Sequence, residues 1–147
     1  MLQMKEVTVG AIGTCCYILW DDARTDCVVI DPGDEPEHIR KAADGRTIAA
    51  ILLTHGHFDH IGAVNAIQEK LHIPVYMGEQ GRLYAENPVW NLSSQTEEPL
   101  VLKNVTYLAD GSLISLKDKP DFRVKLLNLP GHTADGVVYY AEADEAA

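Results

Sequence analysis

Basic residues are scarce in this 147-residue chain: 12 Lys and Arg stand against 22 Asp and Glu, a net charge of -10. General nucleic-acid binding rests on neutralising phosphates with Lys and Arg, so this balance argues against it. Cysteine is scarce too. Cys15, Cys16 and Cys27 are an odd number without Cys-x-x-Cys spacing. They read as reduced, partly buried thiols rather than ligands or nucleophiles. No apolar run approaches the length that spans a bilayer. The first residues, Met-Leu-Gln-Met-Lys-Glu, lack the basic and apolar regions of a signal peptide, so the expectation is a cytoplasmic protein with no membrane partner.

What is present suits a packed domain. Hydrophobic residues are 46% and charged residues 23% of the chain, a balance that excludes wholesale disorder. The length fits one domain over residues 1–147, enough to bury a real core.

The densest chemistry lies between Leu52 and Ile61. His55, His57, Asp59 and His60 fall within six positions. Neutral imidazoles and a hard carboxylate are the ligands that a borderline divalent metal such as zinc prefers. In an extended segment side chains at i and i+2 share a face, so His55 and His57 can grip one ion. Asp59 and His60 follow where the chain should turn into a helix, better placed for a second ion. The plainer alternative is a polar loop between strand and helix. The position, at the carboxyl end of an apolar strand, is where ligands bind in open α/β sheets.

Taken in order, Glu6 to Val9, Thr14 to Trp20 and Cys27 to Ile30 read as strands, the last stopped by Asp31-Pro32-Gly33. Asp31 either caps that turn or orients a ligand histidine. Pro36 to Ala43 suits a helix ended by Asp44-Gly45, with His38 as a solvated histidine. Ile48 to Thr54 is apolar throughout, as in a strand covered on both faces. Ile61 to Leu71 carries a one-sided apolar stripe, and the small Gly62 and Ala63 would let the metal loop pack close. His72 to Tyr76 reads as a strand in which His72 has no metal role. Glu79 to Glu86 reads as a short helix. Asn87 to Pro99 has no steady period, and Trp90 in it fits either a substrate contact or a plug at the core edge. Val101 to Leu108, Leu113 to Leu116, Phe122 to Leu129 and Val137 to Ala141 complete the strands. His132 follows Pro130-Gly131 at a strand end, where a turn histidine and a residue reaching back over the first cluster both fit. The strand and helix rhythm is that of a layered α/β fold.

Thr54-His55-Gly56-His57-Phe58-Asp59-His60 resembles the His-x-His-x-Asp-His signature of the metallo-β-lactamase-fold hydrolases. Thr14 to Trp20, Ile30-Asp31-Pro32-Gly33 and Leu129-Pro130-Gly131-His132-Thr133 also match, in family order. The chain is most similar to the glyoxalase II-like (hydroxyacylglutathione hydrolase-like) branch. The resemblance implies an αββα sandwich and a metal set of His55, His57, Asp59, His60 and His132. It also implies one or two zinc ions, with iron or manganese as alternatives. A metal-bound hydroxide would then attack a small acyl ester or thioester, and Asp59 could hand the nucleophile's proton to the leaving group.

Two departures from that pattern stand out. Gly-His-Thr is followed by Ala134-Asp135-Gly136 where the family has Pro-Gly-Ser. The later elements of the family, with a bridging aspartate and a last histidine ligand, have no counterpart here; Asp144 falls too early. The expected fold is therefore C-terminally incomplete, with self-association through an uncovered edge. Two other readings remain on the same scaffold: a catalytically inert metal-binding or interaction module, and a mononuclear iron persulfide dioxygenase.

Overall fold

A computed structural model describes residues 2–11, 13–22, 25–95, 100–116, 119–128 and 137–143. Six strands form one mixed sheet in sequence order: β1 (Leu2–Val9), β2 (Thr14–Asp21), β3 (Asp26–Ile30), β4 (Thr47–Leu52), β5 (Val75–Gly78) and β6 (Val105–Leu108). The first two pairings are antiparallel, and β3 to β6 run parallel. A second, antiparallel sheet holds β7 (Leu113–Leu116), β8 (Lys119–Asn128) and β9 (Val137–Ala143).

Both faces of the large sheet are covered, and the apolar strands show why. Cys27 and Val29 of β3, with Ile48 and Ile51 of β4, enter a core that includes Ile39, Val64 and Ile67 from the helices. Val28, Ala50 and Leu52 turn the other way and meet Ile114 and Val124 of the second sheet. A half-buried strand would show polar residues on one face; these strands cannot, because helices lie on one side and a sheet on the other. Among the described residues the layers are therefore helix, sheet and sheet. The outer helical layer of the expected αββα sandwich is not found among them.

Several boundaries differ from the sequence expectation. The stripe from Ile61 to Leu71 is not one helix but two, α2 (Phe58–Ile61) and α3 (Val64–Leu71); the preceding helix, α1, is Pro36–Ala42. The Ala63 N–H donates to the Pro32 carbonyl at 2.9 Å, so it is not available to continue α2. His72, with φ 53°, closes α3, and β5 starts only at Val75. Between Val101 and Asn104 no strand forms: the Leu102 N–H goes to Ala85 O at 2.7 Å, and Asn104 takes φ 56°. The Glu79 to Glu86 region is a single 3-10 turn (Glu79–Gly81) followed by the short α4 (Arg82–Ala85).

Candidate metal centre

The chain leaves β4 at Leu52, bends at Thr54, is extended at His57 (φ -69°, ψ 147°), and enters α2 at Phe58. This path brings the four ligand-type side chains of the segment together. The His55 and His57 rings lie 5.2 Å apart at 79°, and the His55 and His60 rings 4.0 Å apart at 52°. One donor atom each from His55, His57 and Asp59 lies within 4.8 Å of the others, and the same holds for Asp31, His55 and His60. Ligands at about 2.0–2.2 Å around a tetrahedral ion stand roughly 3.4 Å from one another, so small side-chain shifts suffice. Two imidazoles and a carboxylate at this spacing fit a divalent cation. Asp59 lies beside His60, as the sequence suggested, with Oδ2 3.4 Å from His60 Nε2, but it also groups with His55 and His57, and His55 belongs to both sets.

Asp31 explains the orientation of the rings. It is buried, and its φ of 54° is a conformation that non-glycine residues rarely adopt. Its Oδ1 accepts the Thr54 N–H at 2.8 Å, and its Oδ2 accepts the Thr54 hydroxyl at 2.5 Å and His60 Nδ1 at 3.0 Å. With three donors on one carboxylate, Asp31 is better placed to orient than to ligate. The network also assigns tautomers. The Thr54 hydroxyl hydrogen is committed to Asp31, so Thr54 Oγ1 accepts from His55 Nδ1 at 3.1 Å. Both rings then carry hydrogen on Nδ1 and turn Nε2, the ligand atom, towards the cluster. His60 Nε2 lies 3.4 Å from Asp59 Oδ2.

The electrostatics separate the two rings. Burial, reinforced by the charge of His60, pushes His55 down to about 4, so it is neutral at pH 7 as a ligand must be. Burial also acts to lower His60, but the hydrogen bond and charge of Asp31, with Asp59 added, outweigh it and the net shift is upward.

Glycines make the site compact. A Cβ on Gly33 would lie 1.8 Å from the Asp59 carbonyl oxygen, and one on Gly62 would lie 2.1 Å from the Gly33 carbonyl oxygen. The turn holding Asp31 and the helix holding Asp59 and His60 therefore touch backbone to backbone, which only glycine permits.

The remaining sequence candidates fall elsewhere. His38 is exposed on α1 and His72 exposed at the end of α3. All three cysteines are free, Cys16 and Cys27 buried. His132 lies outside the described residues, as do Asp135 and Asp144. Sequence reasoning did not single out Thr54 as the relay between Asp31 and His55. It also missed Tyr84, whose ring stands edge-on to His57 at 5.9 Å. A lone threonine before the first histidine, and a tyrosine within the short helix expected over Glu79 to Glu86, carry no signal of their own.

No helix among the described residues is long and apolar enough to cross a membrane. Comparison with known proteins adds to this geometry. Residues 9–147 match the family model described as the metallo-beta-lactamase superfamily. The probable metallo-hydrolase YqgX of Bacillus subtilis is 33% identical over 144 residues, covering 96% of this chain and 66% of that protein. The hydroxyacylglutathione hydrolase GloC of Haemophilus influenzae is 24% identical over 137 residues, covering 90% and 63%. Among solved structures, the BLEG-1 B3 metallo-beta-lactamase superposes with a TM-score of 0.82 at 34% identity, covering 95% of this chain and 67% of that one. TTHA1623, determined in a di-iron-bound form, superposes with a TM-score of 0.68 at 32% identity, covering 92% and 66%. The chain thus spans about two thirds or less of the length of the two named relatives.

Proposed function

This chain belongs to the metallo-beta-lactamase superfamily, and from that premise we propose a metal-dependent hydrolase of small acyl substrates, thioesters foremost, in the glyoxalase II-like manner. The observation that carries this reading is the His55, His57 and Asp59 donor set beside a His60 held by Asp31. The resemblance to the GloC relative points to the thioester and to the branch. The compartment assigned by this reading is the cytoplasm.

When bound, zinc (one or two ions, with iron or manganese as the alternatives) would activate water at neutral pH and draw charge from the substrate carbonyl. The protein's own groups divide the remaining work. His55 and His57 would hold the first ion, and His132 is the further ligand proposed from the sequence pattern. His60, braced through Nδ1 by Asp31, would offer Nε2 to the second. Asp59 is the candidate catalytic group: its Oδ2 is hydrogen-bonded by the Thr14 hydroxyl at 3.4 Å and its side chain is 26% exposed, within reach of solvent and substrate. From that place it can take a proton from the attacking water and return it to the leaving group. Self-association through an edge strand of either sheet is proposed as well.

The test is turnover of S-acyl glutathione and nitrophenyl esters by metal-replete protein, compared with the His55→Ala/His57→Ala double variant. Turnover that collapses in the variant is the expected result. Equal rates in the two proteins would overturn the reading.

A further inference from the structure

Next to the histidine cluster, the segment between α4 and β6 uses buried polar groups to hold apolar ones outward. Asn91 is fully buried. Its Nδ2 donates to Tyr84 O at 2.8 Å and to Leu100 O at 3.0 Å, and its Oδ1 accepts the Ser93 N–H at 2.9 Å. Its own carbonyl accepts the Phe58 N–H at 2.8 Å, which ties this segment to the first residue of α2. Leu92 sits at φ 70°, a conformation a branched apolar residue keeps only where its surroundings over-determine it. The outcome is exposure. Val89 is 67%, Trp90 49% and Leu92 43% exposed. Single apolar side chains on a surface need no explanation. Three within four consecutive positions, fixed by a buried network beside candidate ligands, do.

An aromatic ladder links this patch to the cluster. The Trp90 indole stands edge-on to the Tyr84 ring at 5.6 Å and 88°, and the Tyr84 ring stands edge-on to His57 at 5.9 Å and 65°. Tyr84 itself is buried. It therefore acts as a fixed spacer between a candidate ligand and an exposed indole.

We propose that Trp90, extended by Val89 and Leu92, is the wall against which the apolar tail of the acyl substrate lies, so that the protein selects medium-length aliphatic or aryl acyl groups over acetyl. This rests on the hydrolase reading above and adds the acyl class to it. Binding sites for small molecules are mostly apolar with a few converging polar groups. Here the histidine cluster supplies the polar end and Trp90 a rigid, broad apolar surface at small entropic cost.

The products of acyl hydrolysis are carboxylates, so acetate and hexanoate serve as probes, with binding followed by calorimetry on zinc-loaded protein and zinc content measured separately. Full burial of one methylene corresponds to about a fourfold gain in affinity, and a one-sided wall covers roughly half of it. Over four methylenes the expected preference for hexanoate is on the order of tenfold. Trp90→Ala should bring the ratio near one, and Trp90→Phe should keep most of it. Zinc bound with no preference for hexanoate, or a preference untouched by Trp90→Ala, overturns this inference alone. Protein that binds no zinc overturns the hydrolase reading beneath it and this inference together.

Discussion

Replacing Gly62 by alanine sets two physical effects of opposite sign against each other. Gly62 lies at φ -60° and ψ -29°, a helical conformation that alanine favours. On backbone grounds alone the change should stabilise by about 0.4–1 kcal/mol. Packing says otherwise. The new methyl would stand 2.1 Å from the Gly33 carbonyl oxygen and 3.2 Å from its carbon, and neither is the tip of a flexible side chain. Relief requires the 31–33 turn and α2 to separate by roughly 1 Å, and overpacking of this kind costs about 1–3 kcal/mol. The upper part of that range applies, because backbone meets backbone. The net expectation is a loss of about 1–2 kcal/mol, or roughly 2–8 °C in Tm for a chain of this size. Separation also pulls Asp31 from His60, so zinc affinity should fall together with stability. Gly45→Ala is the contrast: Gly45 has φ 81° with nothing within 4 Å, so the variant should lose stability to backbone strain yet keep zinc affinity. Thermal denaturation and zinc competition titrations of both variants provide the readout. A Gly62→Ala protein as stable as the parent, or more so, refutes the close approach.

Three further outcomes follow from the same geometry. Asp31→Ala leaves the Thr54 N–H and His60 Nδ1 without their carboxylate, so it should cost about 1–3 kcal/mol in denaturant unfolding and weaken zinc binding about 10–100-fold. His55, lowered from about 6.5 in the unfolded chain to about 4, gives a stability contribution that is complete above pH 6.5 and lost as the pH falls towards 4. Urea midpoints of metal-free protein at pH 7 and pH 4.5 should therefore differ less in His55→Gln than in the parent; an equal or larger difference contradicts the assignment. Burial pushes Cys16 and Cys27 up to about 12. A thiolate-selective reagent at pH 8 should modify at most Cys15 in folded protein, and all three thiols after unfolding; three fast-reacting thiols in the folded state would show that this core is open.

The parts of the molecule that were legible in the sequence are those set by local pattern. Cys27 to Ile30 and Ile48 to Leu53 are apolar without interruption, which marks strands covered on both faces, and both cores draw on them. The i and i+2 spacing of His55 and His57 announced a shared face because an extended segment has a period of two. Long-range contacts explain what was not legible. Nothing within Ile61 to Leu71 reveals that Pro32, 31 positions before Ala63, takes its N–H and divides the helix. The stretch from Val101 has strand-like residues, yet Ala85 captures the Leu102 N–H and no ladder forms before Val105. Asp31 could be read as a turn cap or as an orienting carboxylate; only the fold, by laying Thr54 and His60 against it, shows it bonded to both. Trp90 stood undecided for the same reason, since its position depends on Asn91 reaching Tyr84 and Leu100.

The most direct test of the central claim is the metal content of the purified chain after zinc loading and exhaustive dialysis, measured by elemental analysis beside His55→Ala/His57→Ala. At least one tightly held ion per chain is expected, with the double variant retaining little or none. A parent protein that emerges without stoichiometric metal, or a double variant that keeps as much as the parent, would contradict it.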